Sequence, residues 1–273
     1  MSDFVVDMER CIRCGACVET CGRRALADSG DGSPVLGETG MTLCNACGHC
    51  SAICLVGAVT SPKCGGQKAG EIPSLPAVSY ETARKFILSC RSMRRFKQES
   101  VDQETVLELL DVARRAPTAS NRQELRWKAF SGREKAEKFT ALTMDWFDKE
   151  VRKDPDMSAR YNIDGMLARH KNGDDPILRG ALNAVICLSD ASEGWGTVDG
   201  SIAATYFCLA AHGMGIGSCW CGFGTNAAKT YAPLREFLRL RETDAVHAIL
   251  FFGYPTVTYA AYPPRKPLDV SWL

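Results

Sequence analysis

Two runs near the start of the chain, CIRCGACVETC at 11–21 and CNACGHCSAIC at 44–54, place cysteine in the same frame, C-x2-C-x2-C-x3-C. Three thiolates this close together can wrap one face of a cuboidal iron–sulfur cluster and leave its fourth iron for a ligand elsewhere. Gly15 and Gly48 follow the second cysteine of each run, where a tight loop needs a residue free of steric limits. Two other chemistries compete. Zinc commonly takes paired CxxC knuckles, in which the third and fourth cysteines of each run have no place. A disulfide framework suits an exported protein. The opening MSDFVVDMERC has no basic segment followed by an apolar one, so a signal peptide is not predicted. The fourteen cysteines therefore read as thiols for metal or redox chemistry in a reducing cytoplasm.

This first segment resembles the bacterial two-cluster ferredoxins, in which the fourth cysteine of each run crosses to the other cluster. The resemblance implies two 4Fe–4S clusters, one on Cys11, Cys14, Cys17 and Cys54 and one on Cys44, Cys47, Cys50 and Cys21. Two departures stand out: Gly22 and Leu55 replace the proline usual after the fourth cysteine, and the connection from Cys21 to Cys44 is long and polar. A unit so small has little apolar core, so the clusters are expected to supply much of its folding energy.

The positioning elements follow from the rest of the 273 residues. Residues 1–65 form the cysteine-rich segment. The stretch 66–79, rich in Gly, Pro and Ser, reads as a linker, and 80–273 alternates helical and β-type patterns, as an α+β domain does. A net charge of +1 gives no footprint for nucleic acid or an acidic membrane surface, and no apolar run reaches the length of a membrane span. A helix is predicted at YETARKFILSC, with Ala83, Phe86, Ile87 and Cys90 on one face, running into Arg91, Ser92, Arg94 and Arg95. Taken alone, these arginines fit either a solvated helix end or an anion site. A second helix carries Val106, Leu109, Leu110 and Ala113 on one face. Ser100 and Gln103 could form its capping box, and Pro117 stops it. The polar turn APTASNRQ then leads into the β-type run RWKAF. Residues 200–212 are apolar nearly all round, which predicts burial in a core or a subunit interface. The glycines of GMGIGS follow this helix and enter a strand, the reverse of a dinucleotide-binding glycine loop. They still let backbone approach a flat ligand. VHAILFFGYP reads as a strand and is followed by a tail with Arg265 and Lys266 between prolines.

In order, the Arg-Ser-x-Arg segment, the A-P-T-x-x-N-x-Q loop, the G-x-G-S segment after a buried helix, G-Y-P and R-K-P-L resemble the nitroreductase family of FMN flavoproteins. The resemblance implies a mixed sheet flanked by helices and a homodimer with FMN at its interface. It implies that Arg91, Ser92, Arg265 and Lys266 hold the phosphate and ribityl chain, and that Arg94 lies at the pyrimidine edge, favouring an anionic reduced flavin. Asn121 and Gln123, with the backbone of Pro117, Thr118 and Ser120, would contact the flavin bound mainly by the partner subunit. Gly215, Ile216 and Gly217 would back the ring. Cys90 stands where the family often has a basic residue, and Glu124 stands where it usually has proline.

Clusters pass electrons singly, and flavin takes them singly and delivers them in pairs. The fusion therefore implies an FMN-dependent oxidoreductase that reduces a small electrophile such as a nitroaromatic, quinone or activated alkene. Its donor would be NAD(P)H or reduced ferredoxin, and no side chain is assigned as catalytic acid or base. The alternative is an electron-transfer adaptor or redox sensor that serves a protein partner and has no small substrate. His49, His170, His212 and His247 read as loop, solvated or core residues, and Cys219 and Cys221 as packing residues. The charged stretch 133–179 is expected to form helices and a loop that set specificity.

Overall fold

The computed structural model describes residues 4–61 and 78–273. Most of the predicted linker, and Cys64, lie outside the described residues. The chain divides into two compact units. One holds the described residues up to Val78 together with Thr118–Arg122; the other holds Ser79–Pro117 and Gln123–Leu273.

The first unit is built from very short elements: β1 Val5–Val6, α1 Ala16–Glu19, β2 Leu26–Asp28, β3 Pro34–Leu36, α2 Gly40–Leu43, α3 His49–Ala52 and β4 Val59–Thr60. β1 pairs with β4 and β2 with β3, both antiparallel. Its buried core comprises Cys17, Leu26, Cys50 and Val59, with Phe4, Val18, Leu36, Cys21 and Cys54 packed around it. Two of the four residues in that cluster are cysteines, so little apolar area is left to oppose chain entropy.

The second unit is conventional in its packing. It runs α4 Tyr80–Ser89, α5 Gln103–Ala113, β5 Arg126–Ser131, α6 Arg133–Lys149, α7 Pro155–Tyr161, α8 Ile163–Lys171, β6 Asn183–Asp190, α9 Gly196–Gly213, β7 Gly217–Trp220, α10 Gly222–Thr230, α11 Ala232–Phe237 and β8 Asp244–Gly253. The four strands pair antiparallel in the order β5-β6-β8-β7. A single parallel bridge, Ser92 to Ser218, adds the opposite sense at the edge. β6 and β8 are apolar at nearly every position because both of their faces are covered. Ile186, Leu188, Ile249 and Phe251 pack with Phe139, Phe147 and Leu234 on one side. Val185, Cys187, Leu250 and Phe252 pack with Leu109, Phe207 and Ala211 on the other.

Several local expectations meet their physical outcome here. The face Val106, Leu109 and Ala113 of α5 is buried as its periodicity requires, with Leu110 packed against the same cluster. Its cap is not Ser100: the Asp102 carboxylate accepts from Thr105 N at 2.8 Å, being the acceptor directly before the first turn. α4 forms, starting from a Ser79 cap, but it stops at Ser89, one residue before the predicted end of its apolar face. That face is only partly covered: Phe86 meets the His212 ring at 5.1 Å but stays 38% exposed, and Ile87 is 58% exposed. α9 buries one face through Ala203, Ala204, Phe207 and Ala211, while Tyr206 is exposed on the other. No helix among the described residues is long and apolar enough to cross a membrane.

Candidate functional site: two thiol sets and an arginine–glycine cavity

In the first unit the repeated cysteine frame is also a repeated backbone. Arg13 and Ala46, each just before the second cysteine, adopt φ of 56° and 55°. Gly15 and Gly48 follow at 70° and 75° and start α1 and α3, which carry Cys17 and Cys50. This left-handed pair is what glycine's missing Cβ permits, and it curls each loop around a hollow. One hollow is lined by Cys11, Cys14, Cys17 and Cys54, the other by Cys21, Cys44, Cys47 and Cys50. Each hollow thus takes three cysteines from one run and one from the other. Backbone donors face the sulfurs. Ala25 N lies 3.2 Å from Cys21 Sγ, Ala58 N 3.2 Å from Cys54 Sγ, and Ala46 N 3.4 Å from Cys44 Sγ. Burial pushes the Cys17 and Cys50 thiols up, so as free thiols they stay protonated. Beside Cys50, the Ser51 hydroxyl is buried with no hydrogen-bond partner among the described residues. Four thiols per hollow, backbone N–H groups aimed at sulfur and an orphaned buried hydroxyl fit a pair of iron–sulfur clusters. Among the described residues, no three His, Cys, Asp or Glu side chains are placed to hold a single ion.

The loop after α5 is strained. Ser120, Asn121 and Gln123 have φ of 53°, 55° and 55°, a conformation that Asn tolerates and Ser and Gln rarely adopt. Thr118, Ser120 and Asn121 belong to the first unit, Pro117 and Gln123 to the second. Within the first unit, Asn121 Nδ2 donates to the Asn45 carbonyl at 3.2 Å and to the Ala46 carbonyl at 2.9 Å. Glu124 is exposed.

In the second unit, Arg91, Gly215, Ile216 and Gly217 line one cavity of about 660 Å3, together with Ser89, Cys90, Cys208, His212 and the segment that follows β8. The segment after α4 lies along the sheet edge: Met93 N donates to Ser218 O at 2.9 Å, and Ser92 bridges to Ser218. Gly217 has a packing reason as well as a ligand one, since a Cβ there would lie 2.6 Å from the Met93 side chain. Gly215 turns the chain out of α9 at φ 72°. Arg94 borders a second cavity, of about 760 Å3, with Arg95, Arg133, Arg169 and Arg179. Arg133 and Arg169 are paired with Glu137 and Asp174. Arg265 and Lys266 lie in the exposed tail and line neither cavity.

Some bordering residues carried no usable signal in the sequence. Tyr259 and Tyr262, from the tail, line the first cavity. Ser89 and His212 are hydrogen-bonded at 2.8 Å across 123 positions of sequence, which no local pattern reveals. Arg179 sits at φ 57° in a loop pinned by Asp175, whose carboxylate accepts from the N–H groups of Ile177, Leu178 and Gly180. In the second unit, Cys187, Cys219 and Cys221 are buried. Burial pushes Cys187 and Cys221 up to about 12 and Cys208 to about 11.

Residues 4–27 match the model of a 4Fe-4S binding domain. No curated protein matches the sequence. Among solved structures, the chain is similar to a nitroreductase with bound FMN from Desulfitobacterium hafniense, at 22% identity and a TM-score of 0.56, over 70% of this chain and 97% of that one. It is also similar to a nitroreductase with bound FMN from Bacteroides fragilis, at 18% identity and a TM-score of 0.54, over 70% and 96%. A nitroreductase-like family protein from Bacillus cereus, at 18% identity, aligns over 71% and 97% with a TM-score of 0.50. Residues 87–254, more than half of the chain, match the model of the nitroreductase family, and the chain belongs to that family.

Proposed function

We propose that this chain is an FMN-dependent oxidoreductase that reduces a small electrophilic molecule, a nitroaromatic, quinone or activated alkene, with two 4Fe–4S clusters passing electrons to or from FMN. The carrying observation is the presence, in one chain, of two four-thiol hollows and an arginine–glycine cavity on a nitroreductase fold. FMN when bound supplies two-electron transfer to the substrate, and the clusters supply electrons one at a time.

The chain's own residues bind and orient. Arg91, with its planar fork of donors, suits a phosphate; the family resemblance would add Ser92, and Arg265 and Lys266 from the tail, although these two line neither cavity within one chain. The resemblance would put Arg94 at the pyrimidine edge, where negative charge develops on reduction, although within one chain it borders the second cavity rather than the one lined by Gly215, Ile216 and Gly217. Gly215, Ile216 and Gly217 let backbone approach one face of the ring. The Asn121 amide is engaged by two carbonyls, so the contact proposed for its loop falls to Gln123 and the backbone of Pro117, Thr118 and Ser120. A homodimer accounts for the exposure of Ile87 on the apolar face of α4. The donor is reduced ferredoxin or NAD(P)H.

The test is iron, acid-labile sulfide and flavin per chain on anaerobically purified protein, with sedimentation to give the subunit count. About eight iron, eight sulfide and one FMN per chain are expected, followed by turnover of a nitroaromatic or quinone with one of the two donors. Clusters without flavin would remove the oxidoreductase reading. Full loading without turnover of any electrophile would leave an electron-transfer adaptor.

A further inference from the structure

We infer that Asn121 is a positioning residue for one of the two thiol sets, and that it raises the reduction potential of the cluster on Cys21, Cys44, Cys47 and Cys50. The inference rests on the reading of the eight cysteines as ligands of two 4Fe–4S clusters.

The two cysteine frames are duplicates in spacing and in backbone. The left-handed residue before the second cysteine and the glycine after it recur with φ values within a few degrees. What differs is the surroundings of their carbonyls. In the second frame, Asn121 Nδ2 donates to Asn45 O at 3.2 Å and to Ala46 O at 2.9 Å. The matching carbonyls of the first frame, on Ile12 and Arg13, receive no side-chain donor among the described residues. Sequence duplication alone would make the two sets equivalent, and Asn121 breaks that equivalence.

The consequence follows from one peptide group. The carbonyl of Asn45 and the N–H of Ala46 belong to the same peptide bond. Its oxygen accepts from Asn121, while its N–H faces Cys44 Sγ at 3.4 Å. A hydrogen bond at the carbonyl polarises the amide and strengthens its N–H as a donor. A stronger N–H donor at a ligand sulfur stabilises the more negative, reduced cluster and moves its potential upward. The side chain thus acts on the ligand through one intervening peptide, without touching it.

The strain of the loop supports the same reading. Ser120 and Asn121 sit at φ 53° and 55°, conformations that persist only where surrounding contacts hold them. The hydrogen bonds to Asn45 and Ala46 are such contacts, and the segment Thr118–Arg122 belongs with the first unit.

The experiment compares the intact, cluster-loaded protein with Asn121→Asp and Asn121→Ala by EPR-monitored redox titration and iron analysis. Asn121→Asp keeps the shape but replaces the donor with an acceptor; Asn121→Ala removes it. The expected result is two potentials in the wild type, of which one falls in both variants while the other holds. A tenfold change in the oxidised-to-reduced ratio at fixed potential is 59 mV for a one-electron couple. Potentials that stay put, or that move together, would overturn the inference. Should a variant lose iron, loss of about half supports a role confined to one thiol set, and loss of all overturns it. A wild type without iron and sulfide would instead bring down the cluster reading, so the two failures are distinguishable.

Discussion

At the scale of single residues, the division of labour follows from charge and exposure. Arg91 borders the first cavity beside Gly215–Gly217, while its neighbour Cys90 is a half-buried thiol that desolvation pushes up and Arg91 pulls back only in part. Cys90 therefore stays neutral and cannot share the work of binding an anion, which leaves Arg91 the principal cation of that cavity's helix-end segment. Charge-assisted hydrogen bonds to a phosphate contribute about 1.5–3 kcal/mol each. Arg91→Ala is therefore expected to weaken FMN roughly tenfold to a hundredfold, measured as the rise of free-flavin fluorescence on dilution. Arg91→Lys should recover part of that loss, since it restores charge without the planar fork. Unchanged flavin retention in Arg91→Ala would place the phosphate elsewhere. Arg91 was legible in the sequence because its motif is local. Asp244 was not: its side chain is fully buried against Arg126 from β5, at 2.6 Å, and Arg241, at 3.1 Å. Burial alone would raise its carboxyl, but hydrogen bonds from the two arginines and from Arg241 N hold it down to about 2. Nothing in the letters around position 244 reveals a partner 118 residues away.

At the scale of elements, the meeting of α9 with the sheet shows why small residues mislead a reading of hydrophobic pattern. The run at 200–212 looks apolar all round because Gly and Ala count as apolar, yet some of those residues are small for a neighbour's sake. A Cβ on Gly196 would lie 2.6 Å from His247 Nε2, and one on Gly200 2.7 Å from His247 Cβ, so the two glycines, one helical turn apart, receive a β8 side chain. His247 then finds Ser189 Oγ at 2.8 Å and Thr197 Oγ1 at 3.4 Å. The strand and the helix were both legible from their periods; their contact was not, because it depends on what a glycine leaves out. Burial, and then Lys229, lower the His247 pKa from its ordinary 6.5, and Asp199 opposes them. Between the folded value and 6.5 the unfolded chain binds more protons, so stability is complete above that window and declines as pH falls through it. All five tryptophans lie in the second unit and report its unfolding. The unfolding midpoint by tryptophan fluorescence should drop between pH 7.5 and pH 5.5 by more in the wild type than in His247→Asn. Equal slopes would mean that His247 titrates normally in the folded state.

At the scale of the whole molecule, the two units differ in what holds each of them together. The second has large apolar clusters on both faces of a four-stranded sheet, enough to stand without any bound group. The first has one small buried hydrophobic cluster of four residues, two of them cysteines, among elements of two to four residues. Helices and ladders of that length do not form alone in water, and its buried area cannot meet the conformational entropy of its chain. Its fold is therefore expected to depend on the thiol sets being bridged, as the sequence already suggested by crowding eight cysteines into one short segment. Removing iron by reduction and chelation should therefore melt this unit selectively. Backbone amides of residues 4–61 are expected to lose protection from hydrogen exchange, with those of Thr118–Arg122 following because that segment packs with the first unit. Strands β6 and β8, buried on both faces, should keep theirs. Retained protection in 4–61 after complete loss of iron would show that the polypeptide folds without its bridged cysteines. Loss of protection in β6 and β8 as well would show that the second unit draws stability from the first.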